Sequence, residues 1–149
     1  MEAAEQREYA VSLFNRTWDL LELSERTPEQ IDEMIHIAHA SCYHWGQVGA
    51  PANGARGEWQ CARVYATLGH SKPALWHARR CLEIVEAGGD GFEDWDLPSA
   101  QQALAHAHLA AGDRDEARRW AGLAAESATR IEDPEDRELI ESQIAELGL

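Results

Sequence analysis

Apolar positions recur every three to four residues along most of this chain, and nowhere do they alternate for long enough to make a strand. Between about Glu2 and Leu23, the residues Ala10, Phe14, Trp18 and Leu21 fall on one face of a helix. Thr27 followed by Pro28, Glu29 and Gln30 is a start signal, with a hydroxyl cap, a ring preset for the first turn and polar residues behind it. The stripe that follows is Ile31, Ile35, Ala38, Cys42 and Trp45, and it runs out near Gly46 to Gly49. A third helix is predicted from Pro51 or Ala55 to Leu68, with Gly69 as its C-terminal glycine. A fourth starts at Ser71, with Pro73 in its first turn, and ends at Gly88-Gly89. The clearest loop is Gly88 to Trp95. A fifth helix runs from Asp96, with Pro98 early, to Gly112. A sixth is capped by Asp113 and reaches about Ile131, and a seventh follows Asp133-Pro134 and runs to Leu147. The links Ser24–Thr27, Gly69-His70 and Gly112 are short, and short links force antiparallel neighbours. The expectation is an all-α single domain, residues 1–149, of about seven helices stacked as antiparallel helical hairpins.

Composition agrees with that class. Alanine dominates an apolar fraction of 44%, while Val, Ile and Phe are scarce. Alanine is the best helix former and a poor strand residue. A chain of 149 residues is one domain's worth and buries enough surface to stand without disulfides or metals. The three cysteines, Cys42, Cys61 and Cys81, are odd in number and widely spaced, as reduced thiols would be.

Charge narrows the partners. The net charge of −14 opposes nucleic acid and anionic membranes, both of which need clustered Lys and Arg. It is also uneven, with nine acids against three bases in residues 1–33, four against five in 34–92 and fourteen against five in 93–149. Two acidic ends thus flank a near-neutral middle, which reads either as solvated helix faces or as a middle where something docks. No apolar run approaches the length of a membrane span, and the start Met1-Glu2-Ala3-Ala4-Glu5 lacks an apolar signal core, so a cytoplasmic location is expected.

The strongest pattern is self-similarity. A shift of 43 residues lays Ala62–Gly69 over Ala105–Gly112 and carries Ala74 onto Ala117 and Ala78 onto Ala121. Short side chains let two helices of a hairpin approach closely, and the glycine reverses the chain at the tip. Ala62, Tyr65, Gly69, Ala74 and Ala78, and again Ala105, Gly112, Ala117, Ala121 and Ala124, fall at the spacing of the tetratricopeptide repeat, with His108 where an aromatic belongs. The chain therefore resembles that family over residues 53–131, although its period of 43 exceeds the family's, about 34. The resemblance implies a right-handed TPR-like α-solenoid, with residues 1–49 as an N-terminal hairpin cap, two TPR-like hairpins in 53–131 and a C-terminal capping helix in 134–149.

In such proteins ligands lie on the concave face, lined by the first helix of each hairpin. The resemblance places Arg56, Trp59 and Arg63 there from one hairpin and Ser99, Gln102 and His106 from the next. Arg and Trp dominate binding hot spots. Two arginines either side of a tryptophan suit a protein or peptide that is acidic or carries a free carboxylate, and a second copy of the chain is a further candidate. The same residues also fit a structural role, with Trp59 packed on the first hairpin and the arginines paired with the acidic ends. A second reading is a small-molecule- or metal-responsive regulator. Asp32, His36 and His39 share one helical stripe with Tyr43, and His36 and His39, three apart, can face one ion. No HExxH or CxxC supports that stripe, so no metal or cofactor is expected, and core-facing cysteines are inert as a rule. The first expectation is a non-enzymatic interaction module.

Overall fold

The computed structural model describes all 149 residues as seven helices without strands. They are α1 (Ala3–Leu21), α2 (Pro28–Val48), α3 (Pro51–Thr67), α4 (Ser71–Ala87), α5 (Asp96–Ala110), α6 (Arg114–Ala128) and α7 (Pro134–Ala145). The polar starts do what their chemistry requires. The Thr27 hydroxyl accepts from the Gln30 N–H while the Gln30 side chain accepts from the Thr27 N–H, so two orphan donors of α2 are satisfied reciprocally. Asp113 caps α6 through the Glu116 N–H, and Asp133 caps α7 through the N–H groups of Glu135 and Asp136.

Helices pair in order, α1 with α2, α3 with α4 and α5 with α6, and the pairs join through α2 on α3 and α4 on α5. A second set of contacts, α1 with α3 and α3 with α5, lines up the first helix of each pair. The turns ending α3 and α5 have nearly the same backbone. Gly69 and Gly112 each sit at φ 78°, where L side chains are strained. The His70 N–H bonds the Tyr65 carbonyl and the Gly69 N–H bonds Ala66, while Asp113 and Gly112 do the same with His108 and Leu109. Both are Schellman turns, which satisfy the last carbonyls of the helix. Ala74, Ala78, Ala100, Ala107, Ala117 and Ala124 are wholly buried. Side chains this short leave room for helices to approach, so the seams are built from methyl groups.

The buried face of α1 differs from the predicted stripe. Ala10, Thr17 and Leu20 are buried, while Phe14 and Trp18 are half-buried and turn toward α3. Two hydroxyls make this possible. Thr17 donates to the Leu13 carbonyl and Ser41 of α2 donates to the Ala10 carbonyl at 2.7 Å, so neither polar group is stranded. Gln60 of α3 likewise donates to the Phe14 carbonyl.

The last helix departs most from expectation. α7 does not merely cap the end of the row. Its Ile140 packs on Ala128 and Ile131, and the helix then reaches over α5 toward α3. There the Gln102 amide donates to the Gln143 carbonyl at 3.4 Å, and Arg63 pairs with Glu146 at 3.4 Å. No helix is long and apolar enough to cross a membrane.

Candidate functional site

The row formed by α1, α3 and α5 makes one face, and α7 lies across it. All six residues predicted to face a partner sit beneath or beside α7. Arg56, Trp59 and Ser99 line one cavity of about 330 Å³, and Arg63, Gln102 and His106 line a second of about 330 Å³. Gln143 is in the wall of both.

The predicted carboxylate clamp is not assembled, because both guanidiniums already hold acids of this chain. Arg56 makes a bidentate pair with Asp96, Nε to Oδ1 at 3.1 Å and Nη2 to Oδ2 at 2.8 Å. It also donates to the Gly91 carbonyl and stacks on Trp95 with its carbon 4.3 Å from the ring centre. Asp96 is only 4% exposed and also accepts from the Glu93 N–H, so this pair fastens the loop before α5 to α3. Arg63 lies over the rings of Trp18 and Trp59 and reaches Glu146. Trp59 is 8% exposed, stacks obliquely on Trp18 and donates its indole N–H to the Ser99 carbonyl at 3.1 Å. Its ring is a wall of the groove, with little surface left over. His106 is held neutral, its pKa lowered to about 4 first by burial and then by Arg63.

The larger surprise is the apolar cavity itself. Phe14, Trp18, Trp59 and Trp95 form its floor, and Leu139 and Ile140 of α7 form its roof. The sequence pattern put Trp18 on the core stripe of α1 and made residues 134–149 a capping helix. The available signal was Trp95 at the end of the glycine-rich loop, an aromatic placed at a helix start. Leu139 is 57% exposed although it lines the cavity.

The histidine stripe does not become a metal site. His36 and Asp32 point to solvent, while His39 turns inward, where its Nε2 is 2.8 Å from the Tyr65 hydroxyl and its Nδ1 is 4.0 Å from the Cys61 sulfur. No three or more His, Cys, Asp or Glu side chains are arranged to hold an ion. Instead His39, Tyr65 and His77 stack between α2, α3 and α4, and His77 Nδ1 bonds Glu58 at 2.6 Å. Burial, reinforced by His77, lowers the pKa of His39. A hydrogen bond that holds the Cys61 proton toward Cys42, together with burial, raises the Cys61 thiol, and burial raises Cys81, so neither is a ready thiolate. None of these groups except Cys81, at its edge, lines the apolar cavity.

No protein-family model, curated protein or solved structure matches this chain.

Proposed function

We propose that the chain is a non-enzymatic, tetratricopeptide-like binding module that recognises a protein partner on the face of α1, α3 and α5. Its acidic α7 is a built-in occupant of that face. A partner presenting an acidic amphipathic helix takes the place of α7. The observation that carries the reading is the position of α7, which offers an apolar edge, Leu139 and Ile140, to the groove and a carboxylate, Glu146, to Arg63. The matched turns at Gly69 and Gly112 and the alanine seams support the repeat-like part. The catalytic alternative lacks support, because the polar network of His39, Glu58, Tyr65 and His77 lines none of the five principal cavities.

The test uses a fluorescent peptide spanning residues 133–149 and the full-length chain. Ile140→Asp loosens the native α7 without touching the groove floor. Fluorescence anisotropy should show the peptide binding this variant at least tenfold more tightly than the parent, where α7 competes in cis. Adding Arg63→Glu should remove the gain. Equal binding to parent and Ile140→Asp, or no binding to either, would sink the proposal. Circular dichroism checks that the first six helices stay folded.

A further inference from the structure

The cavity beneath α7 has demands of its own that a peptide lying along Arg63 leaves unmet. Its volume of about 330 Å³ falls at the lower end of the range for small-molecule sites, roughly 300–1,000 Å³. Phe14, Trp18, Trp59 and Trp95 present ring faces and edges to it. Its one cation, Arg56, is matched bidentately by Asp96. The charged group left over is an acceptor. Asp136, on the α7 wall, makes no ion pair.

We propose that this cavity is a binding site for a small organic cation, a flat apolar body carrying one protonated amine. The body stacks among the tryptophans, and the ammonium group is drawn to the Asp136 carboxylate. Aromatic faces attract cations, while an anion would meet Asp136 and the Arg56–Asp96 pair, which has no free positive charge to offer. The chain's net charge of −14 steers cations toward it and anions away. Floor and roof belong to different elements, so a ligand here joins α7 to α1, α3 and α5. It therefore stabilises the closed arrangement and weakens the binding of a peptide in trans, and by linkage the peptide weakens the ligand equally. The site stands on the cavity alone; only this regulatory consequence rests on the reading of α7 as an occupant.

Three naphthalene probes of matched shape, 2-(1-naphthyl)ethylamine, 3-(1-naphthyl)propionate and 2-(1-naphthyl)ethanol, are titrated into the full chain by calorimetry at neutral pH. The amine should bind at least tenfold more tightly than the acid. Asp136→Asn, an exposed change that leaves the fold intact, should remove most of that preference. Ser99→Phe, which fills the cavity, should abolish binding of all three probes with the helical signal unchanged. If the acid binds as well as the amine, or the alcohol as well as either, the cation assignment fails while the cavity remains a site. If no probe binds at millimolar concentration, the site itself is refuted. If the amine binds as expected but does not compete with the 133–149 peptide on the parent or Ile140→Asp chain, the site stands and the regulatory link is lost.

Discussion

Replacing Arg56 with alanine tests whether that guanidinium is a structural bolt or a free contact for a partner. The change would leave Asp96, 4% exposed, without its two charged hydrogen bonds. Removing one partner of a buried pair costs roughly 3–5 kcal/mol, most of it from the charge left behind. Two features reduce the loss here. Asp96 keeps the Glu93 N–H at 2.8 Å and lies in the first turn of α5, where the helix dipole favours an anion by about 0.3–1 kcal/mol. Arg56 is also 28% exposed, so the pair is partly solvated. Against that, the stacking of the guanidinium on Trp95 is lost. The net expectation is a destabilisation of about 3 kcal/mol. At roughly 2–4 °C per kcal/mol for a chain of this size, the melting temperature should fall by about 6–12 °C. Urea unfolding followed by tryptophan fluorescence and circular dichroism measures it. A double variant, Arg56→Ala with Asp96→Asn, should recover part of the loss because the buried charge is gone. A loss below about 0.5 kcal/mol for Arg56→Ala, with no coupling to Asp96, would refute the reasoning and return Arg56 to the list of free binding residues.

Ala74→Trp and Ala117→Trp, each placed in a fully closed seam, should destabilise by about 3 kcal/mol or more, read from urea midpoints. Gly69→Ala and Gly112→Ala should each cost about 1–2 kcal/mol, and by similar amounts, since both sit at φ 78° with no atom near the added Cβ. His106 gives a pH dependence whose sign is fixed. It is neutral when folded down to about 4 but takes up a proton near 6.5 when unfolded, so its contribution is complete above pH 6.5 and is lost as the pH falls toward 4. The difference between the parent and His106→Gln in urea stability should therefore shrink by up to about 3 kcal/mol across that window. Native-state hydrogen exchange should show the amides of α7 exchanging before those of α3 and α5, with Ile140→Asp accelerating α7 alone.

Seven helices were legible because their ends carry local chemistry. Thr27, Asp113 and Asp133 act within three residues of themselves, and the glycines at 69 and 112 are needed for a backbone angle. The phase of a stripe was less legible. Hydrophobicity favoured Phe14 and Trp18 over Thr17 for the core of α1, but a hydroxyl that bonds its own helix is cheap to bury, and large rings are useful on a cavity wall. The structure places the six residues around two adjoining cavities, where Trp59 bonds Ser99 and Arg63 sits beside His106. What the spacing could not reveal was which of them were already engaged. Arg56 meets Asp96 across 40 positions and Arg63 meets Glu146 across 83, and no local pattern encodes such pairs. The sequence marked residues 134–149 as a capping helix, without showing what that helix would cover.

The placement of α7 explains why acidic residues crowd the end of a chain whose groove carries arginines. A helix held strongly would spend many buried apolar side chains on its neighbours, as α3 and α5 do. α7 buries Ile140 and Gln143, half-buries Ile144, leaves Leu139 largely exposed, and is tied down by the Arg137 bond to the Ile131 carbonyl, a long hydrogen bond at Gln143 and an ion pair whose Glu146 is mostly in water. One buried isoleucine is worth about 1.5–3 kcal/mol, and an exposed ion pair adds little. Ordering the backbone of a residue costs about 1–2 kcal/mol before any contact is made, so a twelve-residue helix with this few anchors is closer to balance than the six helices beneath it. Carboxylates repel one another across residues 93–149, where fourteen acids face five bases, and that repulsion favours release. Arg63 and the apolar cavity oppose it. On the proposed reading, the burial of Ile140 does more than the Glu146 ion pair to set the balance between a covered and an open groove.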